Sequence, residues 1–279
     1  MDNPMSPSVS PTGGVRLVVS DIDGTLITPE RVITPAAHRA ADDLERAGIR
    51  LSLVSSRAPR GMMQYVRALR ISTPIAGLNG GLICDADGTI RERLSLAPDA
   101  VHRAVEFLIA NNVEPWLFIG HDWLVRRMDT PQVRHEREVV QTTPVQVADF
   151  AGHYHDVGKI MGVSSDTAHL PVVERELAAL LGGEASVHRS SPIYLDITHP
   201  RANKGYAAKE LARLLDVSIQ ETACIGDMNN DIPMLKEAGV SIAMGNAPEN
   251  VKAEARYVTR PNTQDGWAHA MESFVLSRA

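Results

Sequence analysis

Cysteine is scarce in this chain: Cys84 and Cys224 are the only two in 279 residues, each within an apolar stretch and neither in a Cys-x-x-Cys pair. That argues against a disulfide framework or a cysteine zinc site and predicts buried, reduced thiols in a reducing compartment. Long apolar runs are missing as well. Nothing approaches the roughly 18 residues that a bilayer span needs, so no membrane partner is expected. There is no basic excess either, the formal charge being -6. The cationic face by which general nucleic-acid binders neutralise backbone phosphates is therefore not expected, and any phosphate must be attracted locally. The opening "MDNPMSPSVSPTGG" lacks both a basic and an apolar signal region. Residues 1–13 read as a disordered tail, not a signal peptide, and the expected location is the cytoplasm.

What is present is an ordinary globular balance, 44% hydrophobic and 22% charged, long enough for one large or two ordinary domains. "VRLVVS" (15–20) has the apolar character of a strand buried on both faces. Thr34 and Pro35 then supply an N-cap and a first-turn proline for a helix that Gly48 stops. "IRLSLVSS" predicts a second strand, Pro59 to Leu69 a helix, and "PIAGL" a third strand. This alternation is that of an open α/β sheet, which binds ligands beyond the carboxyl ends of its strands. From about residue 82 to 189 the pattern changes to short, apparently antiparallel strands ("PWLFIG", "DWLVRRM", "VGKIMGVSS") with helices at Pro98 to Ala110 and Leu170 to Leu181. That stretch reads as an α+β insertion. After "SPIYLDITHP" the alternation resumes: a helix at Lys204 to Leu215, strands "ETACIGD" and "VSIAM", and helices from Asn230, near Pro248 and near Gln264 to Leu276. No solenoid-length repeat is present.

Two near-copies of one acidic motif differ in setting. "DADGTI" (85–90) centres Asp87-Gly88 between two strand-like segments, a two-residue hairpin signal in which both central residues take φ > 0. "DIDGTL" (21–26) instead ends the first buried strand. "ACIGDMNNDIPML" delivers Asp227 from the end of another apolar strand, with Asp231 four residues on. Asp21, Asp23, Asp227 and Asp231 can converge at one sheet edge, where they would repel one another unless a cation sat among them. Mg²⁺ suits such hard oxygen ligands together with a substrate phosphate. Ser55, at the end of "LSLVS", offers donors to an anion, and Lys204 in "RANKGYAAKEL" a balancing charge. A nucleophilic carboxylate beside a metal and a cation is a phosphoryl-transfer arrangement.

With "DIDGTL", "VSSR", "NKG" and "GDMNND" in that order from Val15 to about Leu276, the chain resembles the haloacid dehalogenase superfamily, specifically its Cof-like phosphatases. The resemblance implies a Rossmann-like parallel-sheet α/β core over residues 14–81 and 190–279 and an inserted α+β cap over 82–189. It implies that Asp21 is the nucleophile and Asp23 the general acid and base. Mg²⁺ would be held by Asp21, the backbone carbonyl of Asp23, and Asp227. Ser55, Lys204 and Asn230 would bind phosphate, Asp231 would orient the metal shell and Lys204, and Asn79 in "LNGG" would face the substrate. Ser56 departs from the family's usual glycine and puts a Cβ into that turn.

Taken alone, Asp21 and Asp23 would more often be turn carboxylates and Lys204 a solvated helix-start lysine; the order of the four motifs lifts them. His121, His153 and His155 with Arg126, Arg127 and Arg134 read as a solvated cap surface, the alternative being a substrate-pocket lining. Met161, Met228, Met234 and Met244 read as core or core-edge fillers. The expectation is a Mg²⁺-dependent phosphatase of a small phosphorylated metabolite, a sugar phosphate first, in a monomer or homodimer. The rivals are a phosphotransferase or phosphomutase sharing the intermediate and a non-catalytic sugar-phosphate binder.

Overall fold

The structure, a computed structural model, describes residues 14–278; the tail expected over residues 1–13 lies outside the described residues. Along the chain run β1 (Leu17–Ser20), α1 (Pro35–Arg46), β2 (Arg50–Leu53), α2 (Met63–Ala68) and β3 (Ile75–Gly77). There follow β4 (Leu82–Cys84), β5 (Ile90–Arg93), α3 (Pro98–Ala110), β6 (Glu114–Ile119), β7 (Asp122–Val125), α4 (Pro131–Val140) and β8 (Val145–Gln146). Next come β9 (Val157–Val163), α5 (Leu170–Leu181), β10 (Ser186–Ser191), β11 (Tyr194–Thr198) and α6 (Lys204–Leu214). The chain ends with β12 (Thr222–Gly226), α7 (Ile232–Glu237), β13 (Val240–Ala243), α8 (Glu249–Lys252), β14 (Tyr257–Val258) and α9 (Gly266–Ala270). Contacts gather these into two compact units, one ending at Ser52 and resuming at Ala208, the other Leu53–Ala207.

The first unit carries a five-stranded sheet of order β14-β13-β12-β1-β2, whose β1–β12, β12–β13 and β13–β14 pairs are parallel. Every residue of β1, β12 and β13 is buried, the mark of strands covered on both faces. Beside it α1 starts as the sequence predicts: Thr34 Oγ1 accepts from the Ala37 amide at 3.1 Å, and Pro35 opens the first turn. Its Ala37, Ala40, Ala41 and Leu44 recur at the three- and four-residue spacing that puts them on one buried stripe.

The second unit is built on a six-stranded sheet, order β10-β11-β9-β6-β7-β8, antiparallel except for the β7–β8 pair. Its two faces follow from the two-residue period of a strand. Leu117, Ile160, Leu195 and Ile197 point one way, into a core with Val101, Ala104 and Leu108 of α3 and Val173 and Leu177 of α5. Trp116, Phe118, Trp123 and Met161 point the other way, toward Val133 of α4 and Leu78 and Leu82.

Several expectations change in detail. The helix expected from Pro59 breaks into a 3₁₀ turn, Pro59–Gly61, and the short α2. The third strand, β3, pairs antiparallel with β4 and meets the chain after β2 through a single parallel bridge, Val54 to Ala76. "DADGTI" does form a hairpin turn between β4 and β5, but only Gly88 of its central pair has positive φ (96°). The Gly88 amide bonds to the Asp85 carbonyl at 2.9 Å and the Asp85 amide to the Thr89 carbonyl at 2.8 Å. The loop is thus longer than two residues, a turn closed by a left-handed glycine, which leaves Asp87 an ordinary backbone conformation. Strand β10 and helix α4 lie where the sequence gave no separate signal. Met228, expected as a core filler, is 52% exposed, whereas Met234 and Met244 are buried. Both thiols are free and buried; desolvation pushes Cys84 up to about 12 and raises Cys224 as well.

Candidate active site

In the first unit the strand order reverses beside β1. The chain steps from β1 to β2 on one side and fills β12, β13 and β14 on the other. The residues just past the carboxyl ends of β1 and β12 flank that switch point, where open α/β sheets bind ligands. They are Asp21 and Asp227. The Asp21 amide donates to the Ile225 carbonyl at 3.0 Å, continuing the parallel ladder one residue beyond β1. Ser20 fixes the same point: its hydroxyl donates to the Asp21 carbonyl (2.7 Å) and accepts from Trp267 Nε1 (2.9 Å).

The structure brings together carboxylate oxygens of Asp21, Asp227 and Asp231, all within 4.8 Å of one another and all buried. Asp231 Oδ2 accepts from the amides of Asp227 (2.9 Å) and Met228 (2.8 Å), which fixes it beneath the loop. Gly226 makes this possible, since a Cβ there would sit 2.4 Å from Asp231 Cγ. Asp227 is held from both sides, Oδ1 accepting from Thr25 Oγ1 (3.2 Å) and Oδ2 from Asn246 Nδ2 (3.2 Å). Asn246 also donates to the Gly24 carbonyl at 2.9 Å and accepts from the Asn262 amide at 2.9 Å. Three buried carboxylates this close repel one another unless positive charge joins them, and a set of hard oxygens fits a divalent cation. Asp23 stands apart, its side chain exposed, and Asn230 is exposed on the loop between Asp227 and Asp231.

The other expected site residues belong to the second unit, which gathers them in turn. Ser55 is 1% exposed; its hydroxyl oxygen accepts from the Arg57 amide at 3.1 Å, which leaves the hydroxyl proton to donate. The Leu78 amide bonds to the Arg57 carbonyl (2.8 Å) and the Asn79 amide to the Ser55 carbonyl (2.9 Å). Leu78, Asn79 and Gly80 have successive positive φ values of 53°, 55° and 92°. A leucine in that region is strained, and these bonds hold it there, as is common beside functional groups. Gly80 lies against Asn203 and Ala207, so the Asn79 loop abuts the start of α6. The first residue of that helix is Lys204, 2% exposed. Ser56 is absent from the residues of positive φ, so the serine in place of the family's glycine introduces no backbone strain.

Sequence reasoning missed Thr25 and Asn246, the two side chains that hold Asp227. Asn246 had a signal, because it follows β13, whose carboxyl end lies on the same sheet edge. For His121 it preferred a solvated surface over a pocket lining, and that residue lines a cleft of the second unit with Phe118, Trp123 and Lys159. Among the five histidine and arginine positions grouped with it, Arg126 pairs with Glu114 at 2.8 Å.

A parallel sheet with a buried acidic cluster at its switch point defines an α/β centre that can hold a metal. Residues 18–271 match the family model of the haloacid dehalogenase-like hydrolases, and the chain belongs to that family. It is similar to the pyridoxal phosphate phosphatase YbhA of Escherichia coli, 28% identical over 94% of this chain and 99% of that protein. It is also similar to the 5-amino-6-(5-phospho-D-ribitylamino)uracil phosphatase YcsE of Bacillus subtilis, 26% identical over 94% and 96%. The crystal structure of a haloacid dehalogenase-like hydrolase from Bacteroides thetaiotaomicron superposes with a TM-score of 0.86 at 30% identity, covering 92% of this chain and 98% of that one. The chain is thus a hydrolase of the Cof-like group, in the class of phosphoric monoester hydrolases. No described helix is long and apolar enough to cross a membrane.

Proposed function

We propose that the protein is a Mg²⁺-dependent phosphatase that hydrolyses a small phosphorylated metabolite through an aspartyl-phosphate on Asp21. The observation that carries this reading is the meeting of three buried carboxylates at the switch point. Mg²⁺ would be held by Asp21, Asp227 and the backbone carbonyl of Asp23, and when bound it neutralises the carboxylates and the phosphate oxygens. Asp231, already bonded to two loop amides, positions that group. Ser55, Lys204 and Asn230 bind the phosphate, and Asn79 faces the remainder of the substrate. We further assign residues 14–81 and 190–279 to the catalytic core and 82–189 to the cap.

The chemistry has two displacements. An Asp21 carboxylate oxygen attacks phosphorus, the bond from phosphorus to the ester oxygen breaks, and Asp23 gives the departing alkoxide its proton. Water then attacks the same phosphorus, Asp23 takes its proton, and phosphate leaves with Asp21 restored. The names of the two relatives above have in common a small phosphorylated metabolite, which also covers the sugar phosphate expected from the sequence. A cytoplasmic location and action without nucleic acid accompany this reading.

The test compares Asp21→Asn with Asp23→Asn on an aryl phosphate and an alkyl phosphate. Asp21→Asn should abolish the covalent phosphoryl-enzyme in acid-quench trapping. Asp23→Asn should slow turnover by roughly 10²–10⁴-fold, more for the alkyl ester, whose alkoxide needs the proton. A phosphoryl-enzyme trapped in Asp21→Asn, or phosphate release unaffected by a chelator, overturns the proposal. Transfer of phosphate to an added alcohol in preference to water would mark a phosphotransferase instead.

A further inference from the structure

Arg57 closes the "VSSR" motif and has no part in the two displacements above. It is a charged residue only 7% exposed. Its main chain serves both sides of the turn that carries Ser55: the amide donates to Ser55 Oγ at 3.1 Å, and the carbonyl accepts at 2.8 Å from the amide of Leu78, the strained residue before Asn79. Whatever fixes the Arg57 backbone therefore fixes the Ser55 hydroxyl and the Asn79 loop together.

The guanidinium ends on α4. Nη1 donates to the Val139 carbonyl at 2.9 Å and, more weakly, to the Gly61 carbonyl at 3.4 Å, while Cζ lies 5.6 Å from the ring centroid of buried Tyr65. Val139 is in the last turn of α4, where carbonyls have no partner within the helix and the helix dipole is negative. Three side chains supply that turn. Gln141 Nε2 donates to the Glu138 carbonyl at 2.8 Å, Thr142 Oγ1 to that of Val140 at 3.2 Å, and Arg57 to that of Val139. Gln141 and Thr142 directly follow the helix, whereas Arg57 stands 82 positions before Val139 and brings the positive charge that a helix C-terminus favours.

The contact is packed as well as bonded, because a Cβ on Gly61 would sit 3.1 Å from Val140 Cβ. Apolar burial contributes little to docking α4, since Val133 alone of its residues is buried. A charge-assisted hydrogen bond at its end therefore carries weight.

Resting on the phosphatase reading and its assignment of Ser55 to the phosphate, we propose that Arg57 is a positioning residue. By clamping the C-terminal end of α4 it holds its own backbone still, and through that backbone it keeps the Ser55 hydroxyl and the Leu78–Asn79 turn in the arrangement that receives phosphate. Arg57 acts through Ser55 and does not touch the anion. Phosphate affinity is then set in part by α4, a helix outside all four motifs.

The test is a double-mutant cycle on the full chain, with Ser55→Ala, Arg57→Ala and the pair, read by calorimetry with inorganic phosphate in the presence of Mg²⁺ and by turnover of an aryl phosphate. Ser55→Ala should weaken phosphate by about tenfold, the value of one hydrogen bond to a charged group, and Arg57→Ala by nearly as much. The pair should lose no more than either single variant, because both remove one contact. Mg²⁺ affinity measured without phosphate should stay within about twofold in all of them, since Asp21, Asp227 and Asp231 take no bond from Arg57. Arg57→Lys, which keeps the charge without the planar head, should recover part of the loss, and it replaces Arg57→Ala in the cycle if that variant does not fold. A pair that loses about a hundredfold, the product of the two single losses, would show that Arg57 meets the phosphate independently of Ser55 and would overturn the inference. So would an Arg57→Ala protein that melts lower yet binds phosphate as the native chain does, which marks a purely structural role. If the native chain binds phosphate but hydrolyses no ester, the phosphatase reading fails and the calorimetric cycle still decides Arg57; if it binds no phosphate, both fall.

Discussion

Gly24 offers a perturbation that strikes the acidic cluster without removing a single carboxylate. It has φ +77°, and a Cβ there would sit 2.3 Å from Asp227 Oδ2. To reach the 3.4 Å of ordinary contact the carboxylate must retreat by about 1 Å. It cannot do so freely, because Thr25 and Asn246 hold its two oxygens at 3.2 Å each. Gly24→Ala therefore carries two costs. The left-handed backbone costs about 1–2 kcal/mol for a residue with a Cβ, and a misplacement of about 1 Å in a catalytic geometry costs on the order of 10²-fold in rate, near 2.7 kcal/mol of barrier. Gly48→Ala separates the two, since Gly48 also has positive φ, +72°, but nothing lies within 4 Å of its added Cβ. Thermal melts should show both variants losing a few degrees, about 2–4 °C per kcal/mol in a chain of this size. Phosphate release from an aryl phosphate and calorimetric Mg²⁺ titration should show only Gly24→Ala losing about 10²-fold in kcat/KM together with metal affinity. Unchanged turnover in Gly24→Ala, or an equal loss in Gly48→Ala, would refute the claim that the position of Asp227 is what the glycine protects.

Asp85→Asn removes the matching carboxylate of the second acidic copy, whose Oδ2 accepts from Arg91 Nε at 2.7 Å. That exposed pair is worth roughly 1 kcal/mol at most, so turnover should stay within a few-fold, and a loss as deep as that of Asp21→Asn would show that the two copies were wrongly distinguished. Glu136→Gln tests the linkage between burial and pH. Burial raises the Glu136 carboxyl, so the native state holds its proton more tightly than the unfolded chain does. The stability this gives is full below the ordinary value of 4.5 and is lost as pH rises through the raised native value. Glutamine cannot ionise, so the melting temperature of Glu136→Gln relative to the native chain should climb as pH increases above 4.5, and a difference independent of pH would contradict it.

Strand ends and caps were legible in the sequence because local chemistry decides them. Thr34-Pro35 can start only one kind of element, and apolar runs ending in Asp21 and Asp227 announce buried strands that stop at charged residues. The hairpin at Asp85–Thr89 was legible as a turn, but its loop length was not, since that depends on how β4 and β5 come into register. The cleft was illegible for a related reason. Whether Phe118, Trp123, Lys159 and Met161 share a face is fixed by pairings such as Phe118 with Lys159 and Phe118 with Trp123, and no single strand's sequence contains them. Thr25 and Asn246 were hidden because a side chain that holds another by one hydrogen bond leaves no periodic trace. Met228 misled because its type suggests burial, while the loop that carries it is held by Asp231 and turns it outward.

The crowding of the carboxylates follows from the sheet itself. Neighbouring strands lie about 4.8 Å apart, and β1 and β12 are neighbours in parallel register, Ser20 opposite Ile225. Asp21 and Asp227 are the first residues after these two neighbouring strands, so both are delivered to the same sheet edge, where their carboxylate oxygens lie within 4.8 Å of one another. The repulsion is thus imposed by the most rigid part of the unit and cannot relax by a loop drifting away. Hydrogen bonds from Thr25, Asn246 and two loop amides hold Asp227 and Asp231 in it. A chain selected for stability alone would place neutral residues at these strand ends. Three acids fixed and buried there form a set of hard oxygens that fits a divalent cation, and the repulsion among them and the affinity for such an ion would have one structural cause.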